Sequence, residues 1–427
     1  MSLALRGGLV ATQDAHRRVV RADILVEGGR IAAVGEVPRA DEEIDCSGCA
    51  VLPGLINTHT HVANTLLRGL ADDVPLEAML EKAFAADAKF TRRDVQVGAL
   101  LGCLEMLRGG TTSFVDLFYW EDEVARAVRE AGMRGFLAWT TLDEQFTTQK
   151  GNPVKNAEAF VRKHKGLDRV TPLVGFQGVY VCGEETLLAA KEVADREGVL
   201  LHGHLSETRP EVYNHQARTG LRPADWLEEI GFLSDRLLAA HGVWLTLGEV
   251  RTLARRGVSV AHCPVSNMKL ASGGVAPLPE MWEAGVTVAL GTDSPLSNNG
   301  MDLLADLKVA SLLQKATRWD ARVLPAQQAL DLVTRDGARA LRMEDSLGSV
   351  EPGKLADLAV LDLAKPHLAG TTAENLVSNL VYAARGGDIR DVLVAGQAVL
   401  RDRRFSAVDE AQVIARAAEA GREILEL

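Results

Sequence analysis

The sequence of 427 residues lacks the features that direct a protein into a membrane, out of the cell or onto nucleic acid. No apolar run approaches the ~20 residues of a membrane-spanning helix, and the N-terminus carries no signal-peptide h-region. There is no run of five or more Lys/Arg residues, and 58 acidic against 47 basic residues leave a net charge of −11, which disfavours binding to phosphate backbones. We therefore expect a cytoplasmic protein with no nucleic-acid or membrane partner. A homo-oligomer is also expected, although nothing in the sequence fixes its size.

Cysteine is scarce as well. The five cysteines are an odd number in a long chain, which argues against a disulfide framework. Cys46 and Cys49 have the spacing of a zinc or redox pair, but no second pair follows them. They also precede an apolar strand instead of opening a helix. We interpret them as two thiols without a chemical role.

Short β-rich patterns occupy both ends of the chain. Residues 22–27 and 30–34 flank Gly28-Gly29, which is typical of a hairpin. Similar strands recur at residues 355–363, 391–395 and 398–400, and a helical tail runs from about residue 409 to residue 427. We expect one small β-sandwich domain built from both chain ends, residues 1–53 and 346–427.

The middle of the chain, residues 54–345, alternates short apolar runs with helical periods such as 184–197 and 247–255. Apolar strands that alternate with helices predict a parallel sheet, and eight of them predict an α/β fold with a closed (β/α)₈ TIM-type barrel. The predicted strands are residues 51–57, 112–117, 134–142, 170–175, 199–204, 237–241, 258–262 and 286–291.

Histidines and carboxylates gather at the ends of these strands, where barrel enzymes have their active sites. His59 and His61 are two positions apart on one strand, so both imidazoles can reach the same ion. His204 from the fifth strand and Asp293 from the eighth complete a set of three nitrogens and one oxygen, which suits a catalytic Zn²⁺, with Fe²⁺ as the alternative. We predict one divalent metal ion per chain at this site.

Three further residues at strand ends have predicted roles around that ion. Glu207 lies three residues beyond His204, where it can carry protons without binding the metal. The alternative role for Glu207 is to cap the following helix. His241 is the candidate to polarise the attacked group or to orient the nucleophile, and His202 is expected to support the site from behind.

The order of these motifs resembles that of the amidohydrolase superfamily. The matching segments are Pro53-Gly-Leu-Ile-Asn-Thr-His-Thr-His61, His204-Leu-Ser-Glu207, Ala240-His241, Gly291-Thr-Asp293 and residues 348–358. The absence of a lysine at the end of the fourth strand fits the single-metal deaminase and chlorohydrolase branch. Residues 65–73, 110–116, 266–272 and 310–315 are similar to the methylthioadenosine/S-adenosylhomocysteine and 5′-deoxyadenosine deaminases.

This resemblance implies a hydrolytic deaminase, which replaces a ring amino group by oxygen and releases ammonia. It implies that His59, His61, His204 and Asp293 hold the metal. Glu207 then carries a proton to the ring nitrogen, while His241 and Asp293 assist attack and departure.

The positions that contact the substrate depart from the family pattern. Gln177 stands where the family has a histidine, and Met79 stands where it has a tryptophan. Asp87 is the nearest counterpart of a glutamate that binds ribose hydroxyls, with an offset of one residue. We therefore expect Gln177, Asp87, Glu207 and Asp293 to contact the substrate.

The leading hypothesis for the substrate, a small heterocyclic molecule, is an adenosine-type nucleoside. Guanine-, pterin- or triazine-type rings stay open, because the carboxamide of Gln177 both donates and accepts hydrogen bonds. A non-catalytic scaffold is the alternative from another class. A scaffold does not need the predicted metal ligands together with Glu207 and His241, and the presence of all of them therefore favours an enzyme.

Overall fold

Two β-sheets organise the chain, and the computed structural model describes residues 2–425 of it. Within those residues the strands are β1 (Ser2–Ala11), β2 (Val19–Glu27), β3 (Arg30–Gly35), β4 (Glu42–Asp45), β5 (Cys49–Pro53), β6 (Leu55–Thr60), β7 (Thr111–Phe118), β8 (Arg134–Thr141), β9 (Val170–Phe176), β10 (Leu201–Leu205), β11 (Leu237–His241), β12 (Ser259–His262), β13 (Val288–Leu290), β14 (Leu358–Asp362), β15 (Ile389–Val394), β16 (Gln397–Arg401) and β17 (Arg404–Phe405).

Helices connect most of the strands in the middle of the chain. They are α1 (Leu76–Asp87), α2 (Arg92–Arg108), α3 (Glu121–Ala131), α4 (Pro153–His164), α5 (Glu184–Glu197), α6 (Arg209–Thr219), α7 (Pro223–Glu229), α8 (Leu247–Arg256), α9 (Pro264–Lys269), α10 (Leu278–Ala284), α11 (Leu303–Arg318), α12 (Ala326–Leu332), α13 (Arg335–Ala340), α14 (Leu376–Tyr382) and α15 (Glu410–Leu425). Short 3₁₀ turns cover Val62–Leu67, Glu144–Phe146, Pro366–Leu368 and Gly386–Asp388. In the part of the chain that the structure describes, no helix has both the length and the apolar character needed to cross a bilayer.

Strands β6 to β13 form the predicted barrel. They are parallel neighbours in chain order, and the last strand returns to the first. At this seam the Asp293 amide donates to the His59 carbonyl at 2.9 Å, and the Thr58 hydroxyl donates to the Leu290 carbonyl at 2.9 Å. A Cβ on Gly291 would lie 2.8 Å from the Cβ of His59, so only glycine lets the two strands approach this closely.

The barrel strands are buried on both faces, which explains their continuous apolar composition. The cluster that includes Val115, Phe136, Leu173 and Leu238 is fully or almost fully buried, because neither face of these strands is left to solvent. Packed apolar side chains make the barrel a rigid support, so its polar residues are held at the strand ends.

The two ends of the chain meet in the second sheet, as predicted. Its strands lie in the order β17-β16-β15-β14-β5-β1-β2-β3, with β4 paired to β1. Strand β14 runs antiparallel to β5 and thereby joins the C-terminal strands to the N-terminal ones. The predicted hairpin around Gly28-Gly29 is confirmed as the antiparallel pair β2 and β3.

The prediction of a single strand over residues 51–57 was wrong. Strand β5 ends at Pro53 in the small sheet, and β6 begins at Leu55 in the barrel. Gly54 divides them at a point where a Cβ would lie 2.2 Å from the hydroxyl oxygen of Thr112. Both strands are apolar and buried, so periodicity alone gave no sign of the break. The domain limits at residues 53 and 345 stay a prediction, and the last two residues of the expected helical tail lie outside the described residues.

Candidate active site

A cavity of about 420 Å³ opens at the carboxyl ends of the barrel strands. Its lining includes His61, His204, Glu207, His241 and Asp293, and therefore polar residues from the first, fifth, sixth and eighth strands of the barrel. His59, fully buried on β6, lies directly behind this group, and its ring centroid is 4.9 Å from that of His61. The structure thus brings together the residues that the sequence placed at strand ends.

Carbonyl groups fix the tautomers of His61 and His204. The Nδ1 atom of His61 lies 2.7 Å from the Leu117 carbonyl oxygen, and that of His204 lies 2.5 Å from the Gln177 carbonyl oxygen. A carbonyl only accepts, so both Nδ1 atoms carry the proton and both Nε2 atoms present a lone pair. These two Nε2 atoms face each other at 3.2 Å with no proton between them.

His202 gives His59 the same tautomer. The Nδ1 atom of His202 donates to the Leu238 carbonyl at 2.8 Å, so its Nε2 accepts the Nδ1 proton of His59 at 2.8 Å. The Nε2 atom of His59 therefore also presents a lone pair, and it has no hydrogen-bond partner although it is buried. His202 supports the site from behind, as the sequence indicated.

The carboxylate of Asp293 completes the cluster. Its Oδ1 lies 3.3 Å from Nε2 of His59 and 3.4 Å from Nε2 of His61. Ser266 and Ser297 donate to Oδ2 at 2.5 and 3.2 Å and fix the carboxylate plane.

The donor set fits a divalent metal ion. Burial lowers the pKa of His61 to about 4 and that of His204 well below its usual range, so both imidazoles are neutral and available as ligands. Three imidazole lone pairs and one carboxylate oxygen face a common point, and a cation there would relieve the opposed lone pairs. Two overlapping groups have all their ligand atoms within 4.8 Å of one another: His59 with His61 and His204, and His59 with His241 and Asp293.

His241 has the opposite tautomer. The Asn267 amide nitrogen lies 3.1 Å from its Nδ1 and donates to it, which leaves the proton on Nε2. This Nε2 lies 3.6 Å from Oε2 of Glu207. The backbone of His241 adopts a left-handed conformation with φ 79°, which is costly for a residue with a side chain. His241 is therefore held as a hydrogen-bond donor at the edge of the cluster.

Glu207 is buried next to the candidate metal ligands and belongs to neither of the two groups of ligand atoms. Burial, together with the nearby carboxylates of Asp293 and Glu211, raises its pKa well above the usual range, so the group is a more basic proton acceptor than an exposed carboxylate. Its own carboxylate does not cap the following helix. Thr208 and Glu211 form the capping box that begins α6, so the alternative role for Glu207 was wrong.

Glu211 is a residue that the sequence reasoning missed. Its carboxylate accepts the backbone N–H groups of Ser206 and Glu207 at 3.0 and 2.6 Å, and thereby fixes the turn that presents Glu207 to the cavity. The signal was the pattern Thr208-x-x-Glu211 directly after the strand.

Gln177 follows the last residue of β9 and lines the cavity, as predicted. Its backbone carbonyl binds His204, while its amide nitrogen donates to the Tyr180 hydroxyl at 3.1 Å. Among the described residues, no side chain donates a hydrogen bond to the amide oxygen of Gln177. Gln177 thus links the cavity wall to a metal-ligand candidate through its backbone.

Asp87 and Met79 lie on α1, which forms one wall of the cavity. The Oδ1 atom of Asp87 is buried without a hydrogen-bond partner, and burial raises the pKa of the carboxyl to about 7. An unpartnered polar atom at a cavity wall is costly unless a water molecule or a ligand group satisfies it. The structure therefore places Asp87 where a substrate can satisfy it.

Comparisons with known proteins agree with this geometry. The model of the amidohydrolase family matches residues 50–399. The chain is 40% identical to the 5′-deoxyadenosine deaminase of Methanosarcina mazei over 99% of this chain and 98% of that protein. It is 42% identical to the 5-methylthioadenosine/S-adenosylhomocysteine deaminase of Syntrophobacter fumaroxidans over 97% and 96% of the two chains.

Two solved structures have the same fold. An adenosine deaminase from Xanthomonas campestris with bound zinc superimposes with a TM-score of 0.94, 32% identity and coverage of 100% and 99%. An atrazine chlorohydrolase from Arthrobacter aurescens, complexed with zinc, superimposes with a TM-score of 0.90, 27% identity and coverage of 98% and 100%.

Proposed function

The chain belongs to the amidohydrolase family, and on that premise we propose that it is a metal-dependent hydrolytic deaminase of adenosine-type nucleosides. The observation that carries the proposal is the convergence of three imidazole lone pairs and the Asp293 carboxylate beside the buried carboxyl of Glu207 at one cavity. A non-catalytic scaffold would not need this arrangement, because it keeps several buried polar groups unpaired at a cost in stability.

His59, His61, His204 and Asp293 would hold the metal, and zinc is the ion that we propose. Neutral nitrogens and one carboxylate oxygen suit Zn²⁺, and both solved structures named above contain zinc. When bound, such an ion lowers the pKa of a water molecule in contact with it toward neutrality, so that hydroxide is available as a nucleophile.

Glu207 carries the protons of the reaction. It lines the cavity beside His241, so it can take a proton from the attacking water and give it to the ring nitrogen next to the amino group. The Nε2–H group of His241, 3.6 Å from Glu207, is directed to the same point and can hold the oxygen that attacks. Asp293 accepts the second proton of that oxygen, and this proton then reaches the amino group as it leaves as ammonia.

The cavity walls would hold the nucleoside around this centre. Gln177 offers an amide to the ring edge, and Asp87 offers a carboxylate to the ribose hydroxyls. Both groups lie on the lining, Gln177 directly after β9 and Asp87 at the end of α1. An adenosine-type substrate satisfies both of them, whereas a bare ring would leave Asp87 unpaired.

An ammonia-release assay with product identification tests this proposal. The zinc-loaded protein is incubated with 5′-deoxyadenosine, methylthioadenosine and adenosine, and in parallel with guanine, a pterin and a chlorinated or aminated triazine. We expect ammonia and an inosine-type product from the nucleosides. If only guanine, the pterin or the triazine is turned over, the nucleoside substrate is wrong, while the hydrolytic chemistry still holds. A cytoplasmic location and a homo-oligomeric state stay predictions from the sequence.

A further inference from the structure

Strand β6 is irregular where it carries the two histidines of the candidate metal site. Asn57 pairs with Phe114 of β7, and the next pair is Thr60 with Asp116. Three steps along β6 therefore correspond to two steps along β7, so β6 contains one extra residue. Such a β-bulge interrupts the regular ladder of backbone hydrogen bonds. Residues 57–62, which we call the histidine segment, therefore depend on other contacts for their position.

The carboxylate of Asp116 contacts the histidine segment on both sides of His61. Its Oδ1 accepts the backbone N–H of Val62 at 2.6 Å, and the Thr60 hydroxyl lies 2.8 Å from the same oxygen. Thr60 separates His59 from His61, and Val62 directly follows His61. One side-chain oxygen on the neighbouring strand thus contacts the residue before His61 and the residue after it.

Leu117, the next residue on β7, binds His61 itself. Its carbonyl oxygen accepts the Nδ1 proton of the imidazole at 2.7 Å. Because Asp116 and Leu117 are neighbours on one strand, they fix the backbone and the ring of His61 from the same place. The end of this strand is fixed in turn, since the Phe118 N–H donates to the buried carboxylate of Glu121 at 3.0 Å.

The contact with Val62 also supplies a missing cap. The 3₁₀ turn Val62–Leu67 begins directly after His61, and the first N–H groups of a helical turn have no partner within it. His61 occupies the N-cap position, but its side chain makes no capping hydrogen bond. Asp116 provides from β7 the acceptor that a Ser, Thr or Asp side chain would provide at that position.

Asp116 is not itself placed to bind the ion. It is fully buried, it does not line the cavity, and it belongs to neither of the two groups of ligand atoms. Its contacts reach the site through Thr60 and Val62. Residues that orient metal ligands without binding the metal are general, and their loss typically lowers metal affinity by about 10- to 100-fold.

We propose that Asp116 is a positioning residue of the metal site, which fixes the histidine segment so that His59 and His61 face a common point. The inference rests on the proposed function, because it concerns two of the residues that would hold the metal. On its other side the segment is held at the barrel seam, where the Asp293 N–H donates to the His59 carbonyl at 2.9 Å. Without Asp116 the segment keeps the seam contact but loses its contacts on both sides of His61.

The zinc affinity of the metal-free protein tests the proposal without any substrate. Asp116→Ala removes both contacts, so we expect the affinity, measured by competition with a chromophoric chelator, to fall by about tenfold or more. Asp116→Asn keeps a carbonyl oxygen as the acceptor and should recover most of that loss. Equal affinity in Asp116→Ala and the parent protein, or equal losses in the two variants, would overturn the proposal.

Thr60 offers a second pair of variants, which leaves the buried carboxylate in place. Thr60→Val removes the hydroxyl but keeps the shape of the side chain, and valine is well suited to a strand. Thr60→Ser keeps the hydroxyl. We expect weaker zinc binding in Thr60→Val only, with a smaller loss than in Asp116→Ala because the contact with Val62 remains. This pair decides the matter if Asp116→Ala does not fold, and equal zinc affinity in the two Thr60 variants would contradict the proposal.

Asp391→Ala separates positioning from general destabilisation. Asp391 is also a fully buried aspartate on a strand and accepts a backbone N–H, that of Asp402, at 2.8 Å. It lies on β15 in the other sheet. We expect Asp391→Ala to lower the melting temperature and to leave the zinc affinity unchanged. If it weakened zinc binding as much as Asp116→Ala does, the position of Asp116 would not be the cause.

Kinetics at saturating zinc provide a further readout. Asp116 lies outside the cavity lining, so KM for methylthioadenosine should stay close to its parent value in Asp116→Ala, while kcat falls because the ligands are less well aligned. A rise in KM with kcat unchanged would overturn the proposal, since it would assign the effect to substrate binding.

Metal content distinguishes a failure of this inference from a failure of the proposed function. A parent protein that binds no divalent metal would refute the proposed function, and the inference would fall with it. A parent protein with one metal, together with an Asp116→Ala variant that binds zinc equally well, would refute the inference alone. Two metals in the parent protein and one in Asp116→Ala would make Asp116 a ligand and overturn its role as a positioning residue.

Discussion

The Nε2 atom of His202 lies 2.8 Å from the Nδ1 atom of His59, and the other ring nitrogen of His202 is bound to the Leu238 carbonyl. The Leu238 carbonyl accepts the Nδ1 proton of His202, so Nε2 of His202 has a lone pair. That lone pair accepts the Nδ1 proton of His59. This contact forces the lone pair of His59 onto Nε2, which is the atom directed at Asp293. We infer that His202 is a positioning residue for the candidate metal site.

The first prediction follows from this relationship. His202→Leu removes the acceptor for the Nδ1 proton of His59, so the affinity for zinc should fall by about 10- to 100-fold. His202→Gln keeps a carbonyl acceptor and should lose less. Competition with a chromophoric chelator measures both affinities, and circular dichroism checks that the variants are folded. Equal zinc affinity in His202→Leu and the parent protein would show that His202 does not position His59 for metal binding.

The second prediction concerns metal content. Elemental analysis of the purified protein should find one divalent metal per chain, and His59→Ala should lose most of it, because His59 is the member common to both groups of ligand atoms. His164→Ala is a suitable control, since His164 is also buried but binds Asp122 at 2.6 Å away from the site. Two metals per chain would contradict the single site.

The third prediction separates proton transfer from metal binding. Glu207→Gln keeps the size of the side chain but cannot exchange protons, so kcat should fall by about 10²- to 10⁴-fold while the zinc content is unchanged. Loss of zinc in this variant would make Glu207 a ligand instead.

Glu211 gives the fourth prediction, on the support of Glu207. Glu211→Gln weakens the bonds to the backbone of Ser206 and Glu207, so kcat should fall while KM stays close to its parent value. Glu249→Gln is the matched control, because Glu249 forms the same kind of capping box with Thr246 but does not line the cavity. A similar loss of kcat in both variants would indicate general destabilisation.

The barrel and its ligand positions were predictable because each rests on a local pattern. Apolar strands alternate with helices, and His59, His204, His241 and Asp293 come at strand ends or within three residues of them. The break at Gly54 was not predictable, because it depends on the approach of Thr112 from a distant part of the chain. Nor did the sequence reveal the contacts of Asp116 with the histidine segment, which need the positions of β6 and β7.

The fifth prediction concerns pH and Asp87. Burial raises its pKa to about 7, so its ionised fraction falls as the pH decreases through that value. The ionised carboxylate is the form that accepts two ribose hydroxyls, so KM for methylthioadenosine should rise by about tenfold between pH 8 and pH 6. Asp87→Asn should raise KM and flatten this profile. A 2′,3′-dideoxy substrate should show little of the effect, and an unchanged profile in Asp87→Asn would assign it to another group.

The last prediction concerns Gln177, which stands at a position where the family usually has a histidine. Its amide nitrogen is used by Tyr180, so the amide oxygen is the group left for a ring edge, and it never carries charge near neutral pH. Gln177→His replaces that acceptor by an imidazole, and we expect the ratio of kcat/KM between adenosine-type and other aminated rings to change by about tenfold or more. Tyr180→Phe is the companion variant, because it frees the amide nitrogen without changing residue 177. Zinc content must stay constant in both, since the backbone carbonyl of Gln177, and not its side chain, binds His204. An unchanged ratio across the panel of rings would show that Gln177 does not determine specificity.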